Sequence, residues 1–293
     1  MAKPKYNWKP EKKKDASGTF RELKDYRRTM YDFKRMPRTV KEYGRMAAMF
    51  SERGEVRNFG YRGSEEGIHV SSRPNFTGKD RRSTYKPIKV KFDGIYSDHF
   101  GEDAFVVDPL ARAIIYKGQW KGRKGGGKDK PGTDKVLEVQ GGVLEMRGKT
   151  TIKNPIVIEN AVRAVRGKAN SMIVIRNVDF VNCKTAIKGD GERNPDNGNP
   201  LYFNGKPGPC LIYVTHCRFW DCDNVAIAGK NCWIYFDKDS NKISGGGRLR
   251  QDGGKIVQEA DPHPKFHKAA HKMRRRSSNK WRKKSESKNP LSW

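Results

Sequence analysis

The sequence predicts an all-β protein built around a right-handed parallel β-helix of roughly four to six coils, with basic N- and C-terminal arms that are extended or partly helical. Three observations predict this fold. A motif of short apolar strands recurs with a period near 20 residues, the segment that contains it is almost neutral, and the segments on both sides of it are strongly basic. Repeats of about this length are typical of proteins that stack equivalent coils.

The repeat is carried by residues 151–167, 171–189 and 211–229. Each segment contains an apolar-x-apolar strand and closes with alanine, an apolar residue, any residue and glycine. The closing glycines Gly167 and Gly189 are 22 residues apart, and the next interval is longer because residues 190–210 form a Pro-, Gly- and Asn-rich insertion. We therefore expect the strands of the three segments to lie on one another in successive coils.

Polar residues mark the predicted corners of the coils. Asn160, Asn177 and His216 each follow the strand of one segment. Asn and Gly tolerate the positive φ that a tight corner requires. Alternate strand residues point inward, so the apolar side chains and cysteines are expected to stack on their counterparts one coil away.

Composition divides the rest of the chain. The predicted organisation is a basic, partly helical N-terminal arm (1–87), first strands or a cap (88–116), a Gly- and Lys-rich loop (117–135), the β-helix core with its insertion (136–240), and a basic C-terminal tail (241–293). An antiparallel sandwich or jelly roll is the alternative fold, because its short strands and turns give a similar composition.

The charge of the chain indicates a polyanionic partner. The net charge is +29, with about +15 in residues 1–135, +4 in 136–235 and +10 in 236–293. Clustered cations of this density favour binding to nucleic acid or to acidic protein subunits, with acidic polysaccharide as the alternative. The predicted polyanion-binding residues are Lys121, Arg123, Lys124, Lys128, Lys268, Lys272, Arg274, Arg275, Arg276, Lys280, Arg282, Lys283 and Lys284. Trp281 and Trp293 are predicted to stack on bases or to anchor the tail in a partner.

The sequence predicts neither a metal site nor a cofactor site. The five cysteines all lie in the neutral middle of the chain and contain no CxxC pair, so we expect reduced residues of the core. Asp179, Asp221 and Asp223 occupy comparable positions on neighbouring coils, where solvated turn carboxylates are the ordinary explanation. The N-terminal sequence lacks the apolar stretch of a secretory signal, and no window has the composition of a membrane span. We therefore expect a cytoplasmic or intravirion protein with no membrane partner.

Residues 212–219 resemble a strand motif of the pectate-lyase-like parallel β-helix superfamily. The segment Ile212-Tyr-Val-Thr-His-Cys-Arg-Phe219 is similar to the lyase pattern W-x-D-H-C-x-F. In that family the aspartate of the motif helps to bind calcium, and Thr215 stands in its place here. The superfamily also includes phage tailspikes and non-catalytic virion proteins, so the resemblance implies a virion-type member rather than an active lyase.

These observations together favour a non-enzymatic structural or assembly protein, of a phage or virus particle, that belongs to a larger assembly and binds nucleic acid or acidic subunits through its arms. Two alternatives stay open at this stage. One is a polysaccharide-binding or lyase-like β-helix protein, which would need a trio of carboxylates and an Arg or Lys in one groove. The other is a component of a ribonucleoprotein assembly.

Overall fold

The computed structural model describes residues 14–15, 31–32, 46–50, 53–62, 66–71, 87–98, 103–122, 135–149, 156–192, 202–203 and 206–273. Outside the main body it has the short strands β1 (Lys14–Asp15) and β2 (Tyr31–Asp32), which pair in parallel. The body runs from residue 46 to residue 259 and winds repeatedly through three strand-lined faces, so the predicted all-β parallel β-helix is confirmed.

Face 3 consists of one strand from each turn. Its strands are β3 (Met46–Phe50), β5 (Glu66–Val70), β7 (Asp103–Val107), β9 (Lys135–Val139), β12 (Arg163–Gly167), β15 (Thr185–Gly189), β20 (Asn224–Gly229) and β23 (Arg248–Asp252). Neighbouring strands on this face pair in parallel from one end to the other. The described residues therefore form eight turns, more than the four to six that the repeat predicted.

Faces 1 and 2 share long strands in the first turns and have separate strands later. The long strands are β4 (Gly54–Arg62), β6 (Ile88–Asp98) and β8 (Ala111–Lys121). Face 1 continues through β10 (Val143–Arg147), β13 (Met172–Arg176), β18 (Cys210–Thr215), β21 (Cys232–Asp237) and β24 (Lys255–Glu259). Face 2 continues through β11 (Ile156–Glu159), β14 (Val178–Val181), β19 (Arg218–Trp220) and β22 (Lys242–Ser244).

The core is a set of straight rows of apolar side chains inside the coil. On face 1 one row is formed by Leu144, Ile173, Ile212, Ile234 and Ile256, which are paired in register from strand to strand. All five are buried in a single hydrophobic cluster. Each turn thus buries its apolar residues against the turn before and the turn after, which is how short strands obtain a shared core.

One predicted stacking is wrong. The apolar-x-apolar strand of residues 151–167, which contains Ile156 and Ile158, does not stack on the corresponding strands of the other two segments. It belongs to face 2, where Ile156 and Ile158 pair with Val178 and Phe180. Ile173 and Ile212 do pair with each other on face 1. The apolar-x-apolar pattern is common to all three faces, so the pattern alone does not identify the face on which a strand lies.

The β-helix extends beyond the segment predicted to contain it. In residues 1–87, predicted as a partly helical arm, the described segments 46–50, 54–62 and 66–70 are strands of the first turns. At the other end, β22 to β24 add a turn within the predicted tail. Many outward side chains on these turns are charged, such as Lys89 and Lys91. The sequence of these strands therefore has a low apolar content, although their inward side chains are apolar and buried.

The predicted insertion and loop contain further strands. Within residues 190–210, β16 (Tyr202–Phe203) and β17 (Lys206–Pro207) form an antiparallel pair. The predicted loop 117–135 begins with the last residues of β8, and positions 123–134 lie outside the described residues.

The prediction that polar residues occupy corners with positive φ is confirmed. Asn177 (φ 54°) and His216 (φ 55°) lie between faces 1 and 2, whereas Asn160 (φ 57°) lies between faces 2 and 3. Asn182 (φ 51°) and Asp221 (φ 49°) occupy the same corner as Asn160 on the two following turns. Short polar side chains reach this backbone conformation at lower cost than most residues, so they fix the positions where the chain bends.

A helix over residues 263–273 follows the last turn and packs on the outside of face 1. In the described part of the chain, no helix has the length and apolar character that a bilayer crossing requires. Among the described residues, face 1 is therefore covered by this helix in one part and left uncovered in the part nearer the N-terminus.

Candidate polyanion-binding surface

The helix at 263–273 forms because its apolar residues recur at helical spacing. Phe266, Ala269, Ala270 and Met273 follow an i, i+3, i+4, i+7 pattern and produce one apolar stripe. Pro264 is compatible with this helix because it lies in the first turn, where its missing N–H has no intrahelical partner to lose.

The apolar stripe is held by aromatic residues on face 1. The Phe266 ring stacks on Tyr213, with centroids 5.4 Å apart, and meets Tyr235 edge-on at 5.7 Å. Met172 and Leu211 complete this outer cluster, which is separate from the core inside the coil. The helix is therefore fixed to a rigid sheet rather than extended into solvent.

Lysines occupy the solvent side of the same helix. Lys265, Lys268 and Lys272 are exposed and follow an i, i+3, i+7 spacing, so they lie along one side. We call these three residues the lysine stripe. Lys265 forms an ion pair with Glu259 on β24. Lys268 and Lys272 have no carboxylate within ion-pair distance among the described residues.

Uncovered face 1 contains a groove of about 920 Å³ just beyond the end of the helix. We call it the face 1 groove. Its lining includes Arg53, Lys89, Lys91, Arg112, Val143 and Met172. Lys89, Arg112, Val143 and Met172 are consecutive members of one row along the strands, so the register of the β-helix brings cations and apolar residues together.

The structure places the other predicted site residues as follows. Lys121 ends β8 on face 2, where it pairs in register with Glu159, and so it does not join the lysine stripe. Lys268 and Lys272 belong to that stripe. The remaining residues lie outside the described part of the chain: Arg123, Lys124, Lys128, Arg274, Arg275, Arg276, Lys280, Trp281, Arg282, Lys283, Lys284 and Trp293.

The cations of the face 1 groove were missed by the sequence analysis. The available signal was the alternation Ile88-Lys89-Val90-Lys91-Phe92, which predicts a strand with both lysines on its outer side. Arg53 and Arg112 come from other turns, and only the register of the strands brings them to the same place.

The motif that resembles the lyase strand has a structural role at the end of β18. The Thr215 hydroxyl lies 2.7 Å from His216 Nδ1 and donates to Asp237 Oδ2 at 3.0 Å. Burial alone would raise the pKa of Asp237, but hydrogen bonds from Ser240, Thr215 and two backbone N–H groups lower it. The carboxylate therefore closes the turn after β21 and holds the corner at His216.

The three aspartates that occupy comparable positions in the sequence repeats do not share a face. Asp179 lies on face 2 and accepts two hydrogen bonds from Arg218, each 2.6 Å long. Asp221 and Asp223 lie on a single turn, at the corner between faces 2 and 3. Asp179 is already neutralised by a bidentate partner, so these acids do not assemble into an acid/base pair.

The cysteines are free thiols inside the β-helix, as predicted. All five are buried, and Cys210 pairs in register with Cys232 on the next turn. Burial is the main reason that the pKa of Cys217 is raised to about 12. A thiol with this pKa stays protonated at physiological pH and is a poor nucleophile.

Face 3 carries a buried ionic cluster on its outer side. Glu138 lies 2.7 Å from Lys168 Nζ and 3.2 Å from both Lys135 Nζ and Arg166 Nη1. Burial raises the pKa of Glu138, but these three cations outweigh it and the pKa falls to about 2. The cluster joins β9 to β12 and contributes to the body that carries the candidate surface.

Comparison of this chain with protein-family models, with curated proteins and with solved structures finds no match in any of the three.

Proposed function

We propose that this protein is a non-enzymatic structural or assembly protein, of a phage or virus particle, that holds basic surfaces against nucleic acid. The β-helix is the rigid body, and the docked helix presents the lysine stripe at its surface. A surface of this kind binds through phosphate contacts and counterion release, with little dependence on base sequence.

The observation that carries the proposal is the position of Lys268 and Lys272. Both are exposed and have no ion-pair partner among the described residues, while Phe266 and Ala270 fix the opposite side of the helix to face 1. Holding two cations on an ordered element lowers the entropy that is lost when they bind a phosphate backbone.

The sequence beyond the helix supports the same proposal. Residues 274–293 carry a net charge of +7 and begin with Arg274, Arg275 and Arg276 directly after the helix. The end of the docked helix at Met273 therefore fixes the point from which this basic segment continues. A fixed contact followed by a highly charged segment gives affinity that falls steeply with salt.

The parallel β-helix fold supports the virion part of the proposal. The superfamily that residues 212–219 resemble includes non-catalytic virion proteins, and the histidine and cysteine of the motif, His216 and Cys217, lie at a corner and in the core of this chain. The hydrogen bonds that engage Asp179 and Asp237 favour a binding role over lyase chemistry.

The test is a salt series from about 50 to about 500 mM with labelled duplex DNA, single-stranded RNA and polygalacturonate. We expect Lys268→Ala/Lys272→Ala to weaken nucleic-acid binding and to reduce the slope of log K against log salt by about 2, because two phosphate contacts are lost. Lys238→Ala/Lys242→Ala is the matched control, since both lysines are exposed and four residues apart but belong to the turn after β21 and to β22 rather than to the helix. Truncation after Met273 should lower affinity further.

Two results would overturn the proposal. One is nucleic-acid affinity that is unchanged in both the double variant and the truncated protein. The other is tighter binding to polygalacturonate than to either nucleic acid at equal salt, which would favour the polysaccharide alternative. Preference for RNA over DNA would instead identify a ribonucleoprotein component.

A further inference from the structure

The face 1 groove has the properties of a binding site for a peptide. We propose that it binds an acidic, amphipathic segment of a partner protein. The proposal is independent of the nucleic-acid surface, because it concerns the uncovered part of face 1 and a different class of partner. It follows from the apolar floor of the groove, its cationic rim and one unsatisfied amide.

The floor continues an interface that the protein already uses. On the covered part of face 1, Met172 and Leu211 pack under the helix. Val143, on the next strand toward the N-terminus, continues the row beyond the end of the helix, where Ala270 and Met273 form one wall of the groove. Face 1 therefore accepts an amphipathic helix on one half and leaves an adjoining apolar strip on the other.

The rim selects for negative charge. Arg53, Lys89 and Lys91 have no carboxylate within ion-pair distance in the described part of the chain. Arg112 is paired with Glu145, with Nε donating to Oε1 at 2.6 Å. Glu55, the acid in the lining, is paired at 2.9 Å with Arg57. Three cations without an ion pair among the described residues thus line the same groove as the apolar floor, and acidic side chains would complement them.

Asn170 adds a group suited to a peptide backbone. It lines the groove and is only 5% exposed, yet neither its side-chain nitrogen nor its side-chain oxygen has a hydrogen-bond partner. Buried amides are rarely left unsatisfied. One carboxamide offers both a donor and an acceptor, which match the C=O and N–H of a peptide.

Charge argues against other occupants. Residues 1–45 carry a net charge of +9 and residues 274–293 carry +7, so each would meet like charge at the rim. A second copy of the chain has a net charge of +29 and meets the same repulsion. Nucleic acid would satisfy the charges of the rim, but its phosphate backbone offers no apolar surface to the half-buried Val143 side chain in the floor.

The experiment uses the full-length protein and a labelled peptide. The probe has the sequence of residues 263–273 with every Lys and His replaced by Glu, which keeps Phe266, the two alanines and Met273 as apolar anchors. The matched control peptide has the unaltered sequence. We expect the acidic peptide to bind at concentrations below about 100 µM and the basic control not to bind, as measured by fluorescence anisotropy.

Three protein variants locate the binding. Lys89→Glu/Lys91→Glu should weaken the binding of the acidic peptide about tenfold, and the affinity that remains should depend less on salt concentration. Asn170→Gly keeps the positive φ of 61° and should weaken binding without changing the salt dependence. Lys238→Glu/Lys242→Glu, the matched control, should change affinity less than about twofold. Thermal melts followed by circular dichroism establish that each variant is folded.

Several outcomes would overturn the proposal. These are absence of peptide binding by the wild-type protein, equal weakening by the Lys89/Lys91 variant and its control, and displacement of the peptide by duplex DNA with loss of DNA binding in the Lys89/Lys91 variant. Concentration-dependent self-association that the Lys89/Lys91 variant abolishes would identify a second copy as the occupant, and it would overturn the proposal as well.

Discussion

The Asn182 side-chain amide donates to the side-chain oxygen of Asn160, one turn earlier, at 2.7 Å. Both residues have positive φ at the same corner of the β-helix. One residue type therefore performs two tasks, since it tolerates the left-handed backbone and hydrogen-bonds to its equivalent on the neighbouring turn.

Two substitutions of Asn182 separate these tasks. Asn182→Ala should lower the free energy of unfolding by about 2 kcal/mol, because it introduces backbone strain and removes the hydrogen bond. Asn182→Gly removes only the hydrogen bond and should cost about 1 kcal/mol. Urea unfolding followed by circular dichroism measures both. Equal losses for the two variants would show that the backbone conformation at this corner is not strained for alanine.

The cluster around Glu138 predicts a dependence of stability on pH. The pKa of Glu138 is about 2 in the folded protein, below its ordinary value of 4.5. A lowered pKa in the folded state means that the ionised carboxylate stabilises the fold above about pH 4.5, and that this contribution is lost as the pH falls toward 2. Glu138→Gln should therefore lower the free energy of unfolding by about 3 kcal/mol at neutral pH. The difference in this free energy between the variant and the wild type should shrink as the pH falls from about 4.5 to about 2.

Glu55→Gln is the control for that experiment. Glu55 is also paired with an arginine, but both partners are largely exposed. This substitution should change the stability by less than about 0.5 kcal/mol at any pH. If Glu138→Gln lowers the free energy of unfolding by the same amount at every pH, the carboxylate stabilises the fold through packing and not through its charge.

The close approach of Gly189 to Cys232 predicts that substitutions at these two positions have non-additive effects on stability. A Cβ at position 189 would lie 2.2 Å from Cys232 Sγ and 3.0 Å from Ile212 Cδ1. Gly189→Ala should therefore destabilise the protein by about 2 kcal/mol through overpacking. Combining it with Cys232→Ala removes the sulfur and should recover at least about 1 kcal/mol, whereas Cys183→Ala, at another buried thiol, should not. Strict additivity with Cys232→Ala in denaturant melts would contradict this packing.

Burial of the thiols predicts slow reaction with a thiol reagent. The pKa of Cys217 is about 12, and the other four cysteines are buried as well. At about pH 8 the native protein should react with a disulfide reagent far more slowly than a free cysteine does, and all five thiols should react in concentrated guanidinium chloride. A thiol that reacts in the native protein at the rate of free cysteine would show that part of the core opens readily.

The features that the sequence predicts correctly are local and repeated. The pairing of the closing glycines Gly167 and Gly189, and the positive φ of Asn160, Asn177 and His216, follow from residues that recur in equivalent segments. Repetition is informative because each turn places the same demands on the chain, so equal positions select equal residue types.

Other features depend on distant residues and escaped prediction. The early turns were missed because outward lysines such as Lys89 dilute their apolar pattern. The sequence predicts a C-terminal arm that is extended or partly helical, but neither the bounds of the helix at 263–273 nor its packing on face 1 was predicted, although Phe266 and Ala270 have the spacing of a docking stripe. The face 1 groove unites residues from 53 to 273, and only the three-dimensional register assembles them.

The docked helix changes how the molecule can come apart. In a stack of repeated coils each coil contacts only its two neighbours. Unfolding can therefore begin at one end and proceed one coil at a time. Here the helix contacts Met172, Tyr213, Tyr235 and Val257, which belong to four consecutive strands of face 1. The helix links these four turns, so we expect the C-terminal half to unfold as one cooperative unit, after the helix has detached.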